Sequence, residues 1–256
     1  MKRRNSDNLN RSVAPIRPFT LPAPYRSAET ETPAIRPDKL TTINFGGGHP
    51  QMIDLYFAPT ANGLRATVAL EEAGLPYRLH SLNLYKGEQN TPEFRKINPA
   101  GLIPAIVDPD GPDGKPFALS QSGAIVVYCS EKSGKFLPKD AATRAIAMEW
   151  FVQASSDISG ASMTVFRLEN TAPEKSVANV DYFKKRLLDS FLACDQALDG
   201  KDYLAGELSI ADLMLYPSFA LRRPLIEEAG GYDNLRRWAD AMALRPGIKR
   251  GMSHQA

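Results

Sequence analysis

Residues 53–64 read Ile53-Asp54-Leu55-Tyr56-Phe57-Ala58-Pro59-Thr60-Ala61-Asn62-Gly63-Leu64. The run through Phe57 is short, mostly apolar and rich in strand-forming side chains, and Pro59 stops it, so it predicts a buried strand running into a turn. Asn62-Gly63 then opens a helix with apolar positions at Leu64, Val68 and Leu70 and a stop at Gly74-Leu75-Pro76. Tyr77 to Leu84 reads as a second strand. Strand, helix and strand in this order predict a parallel pair joined by a right-handed crossover.

Further along, Lys86-Gly87-Glu88-Gln89 is a polar loop, followed by one helical turn around Phe94. Leu102–Val107 predicts another strand. Asp110-Gly111-Pro112-Asp113-Gly114 is dense turn chemistry, and Pro116–Leu119 completes a hairpin. Ser122–Lys132 predicts a helix closed by Gly134. The order β-α-β-α-β-β-α is that of a thioredoxin-like α/β domain, expected over residues 51–134. Beyond Pro138 the strand patterns vanish, and helical spacing covers Thr143–Leu168, Glu174–Leu198, Ser209–Ala229 and Asn234–Ala243. Ser209-Ile210-Ala211-Asp212 is a capping box ahead of an apolar stretch. Residues 135–139 are therefore expected as a linker and 140–256 as an all-helical domain.

The first 50 residues differ in kind. They hold seven prolines, and eight basic against four acidic residues. Such composition predicts an irregular arm, lying over its own surface or a partner subunit. No apolar segment follows Lys2-Arg3-Arg4, and Pro15, Pro18, Pro22 and Pro24 would break the helix of a transit peptide, so a cytoplasmic location is expected. The net charge is only +2, with no basic face of the kind that nucleic acid demands. No apolar run reaches the roughly 18 residues of a membrane span. Cys129 and Cys194 are too few and too far apart for a disulfide scaffold or a CxxC site, and His49, His80 and His254 are too scattered for a metal helix.

Three places carry chemistry. In the turn Ala58–Gly63, a helix N-terminus lowers the pKa of a nearby thiol, roughly 8.5 when free. The turn has no cysteine; it has Thr60 and Asn62, whose hydroxyl and amide can donate to another molecule's sulfur, or simply cap the helix. Ile103-Pro104 suits an edge or a cis turn, and a cis bond would free the Ile103 backbone to pair with an extended peptide. Ser122, a good N-cap, can bind a carboxylate at its helix start, and the Gln121 carbonyl can take an ammonium group. A thiol-holding turn, a strand-pairing edge and a carboxylate-binding helix end together describe glutathione.

The same residues carry a resemblance. Ile53 to Gly63, Lys86-Gly87-x-Gln89, Ile97-Asn98-Pro99 with Ile103 to Asp108, and Ser122-Gly123-Ala124-Ile125 closely resemble the glutathione transferase superfamily, from about Met52 to Gly251. The Thr-x-Asn turn and the Lys-Gly-x-Gln loop resemble the nu class, which includes bacterial disulfide-bond oxidoreductases. The resemblance implies a helical transferase C-terminal domain and a homodimer. It implies catalysis by Thr60 and Asn62 around the sulfur, with glutathione as cosubstrate held by Gln89, Ile103, Pro104, Gln121 and Ser122, and no metal. Two departures stand out. Gln121 replaces a frequent Glu, which removes a charge from the ammonium contact. In the disulfide reductases an Ile-Glu-Arg-Tyr stretch helps hold a second glutathione, and here Tyr182 of Val180-Asp181-Tyr182-Phe183 stands in place of the arginine, which predicts a weak second site. For the second substrate, a small electrophile or disulfide between the domains, the candidate walls are Phe166, Arg167, Tyr182 and Tyr216, with Phe219, Arg222 and Arg223. The expected activity is thiolate attack on an electrophile, disulfide or peroxide, as in detoxification. The alternatives are glutathione-dependent lyase or ether cleavage, and a non-catalytic binding protein of the same fold.

Overall fold

A computed structural model describes residues 52–254; the arm expected over residues 1–50 lies outside them. Strand β1 (Ile53–Phe57) is followed by helix α1 (Ala61–Ala73) and strand β2 (Tyr77–Ser81), and β1 and β2 pair in parallel with Ile53 opposite Tyr77. Helix α2 (Pro92–Ile97) leads to strands β3 (Ala105–Asp108) and β4 (Phe117–Ser120), an antiparallel hairpin that joins the sheet through β1. The sheet order is β2-β1-β3-β4, and helix α3 (Ser122–Ser133) follows. This is the thioredoxin-like arrangement that the sequence predicts.

Boundaries moved where local chemistry overrode alternation. The second strand stops at Ser81 because Asn83 accepts from the Lys86 N–H and Gly87 takes a left-handed conformation, which winds the chain into 3₁₀ turns. The third strand begins only after Pro104, which has no N–H for a ladder.

The helical part comprises α4 (Ala141–Gln153), α5 (Ser159–Asn170), α6 (Val177–Ala197), α7 (Ile210–Ala229), α8 (Asp233–Leu244) and α9 (Pro246–Met252). The single helix predicted over 143–168 is two helices joined by a π turn at Ala154–Ile158. Helix α9 has no counterpart in the sequence reading. It exists because two glycines let it approach α1: a Cβ on Gly251 would lie 2.7 Å from the Val68 Cα. Thr67 donates to the Gly251 carbonyl at 2.8 Å, and Arg245 pairs with Glu72 at 2.7 Å.

One core runs through both halves, from Leu55, Leu64 and Ile106 around the sheet to Phe191, Phe219 and Trp238 among the helices. The capping box forms as predicted. Asp212 is fully buried and accepts from the backbone N–H groups of Ser209 (3.0 Å) and Leu204 (3.2 Å), from the Ser209 hydroxyl, and from Trp238 Nε1 (2.9 Å). Burial pushes its carboxyl up to about 6 against the pull of those donors. Asp212→Ala leaves several buried donors unpaired, each costing about 1–3 kcal/mol. The expected result is a loss of at least about 3 kcal/mol in denaturant unfolding; a loss below about 1 kcal/mol would show that the box is dispensable.

Candidate active site

Everything begins at the N-terminus of α1. Thr60 is its N-cap residue, with extended backbone, and its Oγ1 accepts from the Gly63 N–H at 3.2 Å. A hydroxyl that accepts still has its own proton to donate, so capping leaves Thr60 a donor for a ligand. Gly63 is required by close approach: a Cβ there would sit 2.1 Å from the Ala58 carbonyl oxygen. The first turn is thereby pressed against the end of β1, which fixes where Thr60 and Asn62 stand.

Asn62 Oδ1 accepts from Arg65 Nη1 at 2.5 Å, which leaves Nδ2 as the amide's free end. Arg65 itself is 1% exposed. Its other bonds go to the Met214 carbonyl (3.1 Å) and to the hydroxyls of Ser122 (3.4 Å), Ser159 (2.6 Å) and Ser218. Desolvation lowers its pKa from 12.5 to about 10.

Two cavities meet above this arginine, sharing Asn62, Arg65, Ser159 and Met163 as lining. The larger, about 590 Å³, is bordered by Ile103, Pro104, Gln121, Ser122 and Arg167. The smaller, about 320 Å³, is bordered by Thr60, Met163, Phe166, Leu221 and Arg222. The Ile103-Pro104 bond is cis. Gln121 holds φ at 73°, unusual for a residue with a side chain. That turn makes Gln121, and not Ser122, the cap residue of α3, and Ser122 becomes the first helical residue. The first-turn N–H groups of such a helix have no acceptor within it, and they open on the larger cavity.

Several expected residues lie elsewhere. Gln89 lines neither cavity: its Nε2 reaches back to the Leu84 carbonyl at 3.4 Å, and its buried Oε1 has no partner. The 3₁₀ turns after Asn83 fold it onto its own loop. Tyr216 is in the core against Trp238, and Phe219 lies between Phe191 and Trp238. Arg223 pairs with Glu227 and Asp240. Tyr182 borders a third, polar cavity of about 290 Å³ with Asp157 and Arg186, between α5 and α6, which shares Gly160 with the larger cavity of the cleft. Arg167 and Arg222 line the cleft itself. Tyr56 stacks on His80 and packs at a tilt against Phe94, away from the cleft, its phenol raised by burial and by Asp54.

The sequence reading missed Arg65, Ser159, Ser162 and Met163. For Arg65 the available signal was its spacing, three residues after Asn62 and so on the same helix face. Ser159 depends on the π turn and has no local signal. Arg222 grips Ser162 through Nε–Oγ (2.9 Å) and Nη2–carbonyl (2.7 Å) bonds. Cys129 and Cys194 are buried, and burial pushes both thiols up to about 12, so neither is a nucleophile. Among the described residues no cluster could hold a metal, and no helix is long and apolar enough to cross a membrane.

Family models for the glutathione S-transferase N-terminal domain and C-terminal domain match residues 61–132 and 145–246. The disulfide-bond oxidoreductase YfcG of Escherichia coli is 36% identical over 198 residues, which cover 76% of this chain and 92% of that protein. The chain belongs to the glutathione S-transferase family. A glutathione transferase from Burkholderia graminis, solved with two glutathione molecules per subunit, is 32% identical with a TM-score of 0.74, over 85% of this chain and 92% of that one. One from Pseudomonas putida, solved with one glutathione disulfide per subunit, is 29% identical with a TM-score of 0.75, over 84% and 96%. A glutathione transferase of this family needs a place for the tripeptide and a way to hold its sulfur as an anion; the cleft offers two adjoining cavities that meet at Asn62.

Proposed function

We propose that this glutathione S-transferase is a nu-class enzyme that holds glutathione as a thiolate at the start of α1 and directs it at a disulfide. The observation that carries the reading is the Thr60–Asn62 turn, which opens on the cleft with two free donors and no cysteine. Glutathione lies with its γ-glutamyl end at Gln121 and Ser122, its backbone beside Ile103 and cis-Pro104, and its sulfur at Thr60 and Asn62.

The chemistry needs no group beyond these. The thiol gives its proton to water, and the sulfur anion is held by the Thr60 hydroxyl, the Asn62 amide and the helix dipole. It attacks one sulfur of the disulfide, forming a glutathione mixed disulfide as the S–S bond breaks, and the departing thiolate takes up a proton. A second glutathione thiolate then attacks the glutathione sulfur of the mixed disulfide, releasing glutathione disulfide and the second substrate thiol. Arg167, in the larger cavity, suits a carboxylate of that second glutathione, and Arg222, in the smaller one, a carboxylate of the disulfide. The name of YfcG and the glutathione disulfide bound in the Pseudomonas putida relative support this choice. The apolar wall of Met163, Phe166 and Leu221 also supports conjugation of an apolar electrophile in the same place. The enzyme works in the cytoplasm as a homodimer; exposed Met148 and Val152, one turn apart on α4, support an apolar subunit contact.

Two experiments test this. Thr60→Ala should raise the pKa of the bound thiol by about one to two units, the worth of a hydrogen bond to a charged group. Thr60→Ser should keep it near the wild-type value. Titration of the thiolate's ultraviolet absorbance reads both. If Thr60 only caps, the alanine variant loses about 1 kcal/mol of stability and titrates as wild type does.

The second experiment measures glutathione-dependent reduction of a neutral dihydroxy disulfide and a dicarboxylate disulfide. The dicarboxylate should be turned over with the lower KM, and Arg222→Met should raise that KM about tenfold, a loss of about 1.4 kcal/mol, while sparing the neutral substrate. Binding of glutathione without turnover of either disulfide would refute the oxidoreductase reading.

A further inference from the structure

Arg65 is a buried cation with no anion beside it. Among the described residues it makes no salt bridge, and all five of its hydrogen bonds end on neutral oxygens. In a core this is costly, and an apolar side chain of similar size would fill the space more cheaply. What the guanidinium supplies is fixed direction, because its donors lie in one plane at set angles.

The plane is locked from the far side. Nε donates to the Met214 carbonyl and Nη2 to Ser218, both on α7, while Nη2 also reaches Ser159 on α5. The Ser159 hydroxyl donates to the Ala154 carbonyl at 2.8 Å, so it can only accept from Arg65. The locked fork leaves Nη1 aimed at two oxygens on the floor of the cleft, Asn62 Oδ1 and Ser122 Oγ. An asparagine amide can turn either its oxygen or its nitrogen outward, and the two ends have opposite effects on a thiolate. Arg65 donates and cannot accept, so it takes the oxygen inward.

We propose that Arg65 is a positioning residue for the thiol site, pinning the Asn62 amide so that only its Nδ2 donor faces the glutathione sulfur. The inference rests on the glutathione reading above. Arg65 acts through Asn62, and the serines of the helical half set its plane. No carboxylate, histidine or lysine is bonded to it, and Arg167 and Arg222, which face the cleft from α5 and α7, are unchanged in the variants that test it.

The test is the pH profile of kcat/KM for the disulfide, with the enzyme saturated by glutathione, in wild type, Arg65→Lys, Asn62→Ala and the double variant. Arg65→Lys keeps the charge and loses the fork. Its acid limb should move up by about one unit, which lowers the rate at neutral pH about tenfold and lets it recover in alkali. The acid limb of the double variant should lie no higher than that of Asn62→Ala alone, because the interaction lost at the sulfur is the same one. An unmoved limb in Arg65→Lys, with a moved limb in Asn62→Ala, overturns this inference alone, as do losses that simply add. Unmoved limbs in both overturn the thiol reading and this inference with it. Should Arg65→Lys fail to fold, Ser218→Ala removes one anchor of Nη2 and is expected to move the limb in the same direction by a smaller amount; an unmoved limb there, with a moved limb in Asn62→Ala, also overturns the inference.

Discussion

The fork of Arg65 into serine hydroxyls and the Asn62 amide is the interaction on which the rest of the cleft depends. It joins α1 of the thioredoxin-like half to α5 and α7 of the helical half directly beneath the cavity. A charge in this position is tolerable only if every donor finds a well-placed acceptor. That requirement reaches outward: Ser159 must accept, and it stands where it does because the chain widens into a π turn at Ala154–Ile158 before α5 begins. Such turns are uncommon inside helices and are frequent at functional sites. The Gly63 contact with Ala58 sets the height of α1 over the sheet, and with it the depth at which Arg65 enters the helical half.

Around that anchor the site is built from neutral donors and helix ends. In the proposed complex Thr60, Asn62 and the start of α1 meet the sulfur, and the start of α3 meets the other end of the tripeptide. Besides Arg65, the cations lining the two cavities are Arg167 and Arg222, on two different helices. This division suits a two-step exchange. On the proposed reading the first glutathione is held mainly by fixed dipoles that need little reorganisation, and the second partner meets a cation. Gln121 carries the cost of the arrangement in its backbone, since a φ of 73° with a side chain is kept only where the surroundings hold it.

The elements that were legible in the sequence are those whose signals are local. Pro59 and Asn62-Gly63 mark the strand-to-helix turn, Asp110–Gly114 marks the hairpin, and Ser209 to Asp212 states its helix start in four letters. The thiol turn, the Ile103-Pro104 edge and the start of α3 could be read for the same reason. What stayed hidden was set by contacts distant in sequence. Arg65 looks like a surface base on a helix until α5 and α7 close over it. Helix α9 is defined by how closely Gly247 and Gly251 approach Glu72 and Val68. Tyr216 and Tyr182 have the composition of a pocket wall, yet one turns into the core and the other to a polar hollow between α5 and α6, because helix phase decides which face a residue shows. Gln89 follows its 3₁₀ turns away from the cleft.

The account stands on where the sulfur of glutathione lies relative to the turn at the start of α1. A crystal structure of the glutathione complex measures this most directly. It should show the sulfur within hydrogen-bonding reach of both Thr60 Oγ1 and Asn62 Nδ2, with Asn62 Oδ1 still held by Arg65. A sulfur lying out of reach of both, or an Asn62 amide released from Arg65 with its oxygen toward the ligand, would contradict it.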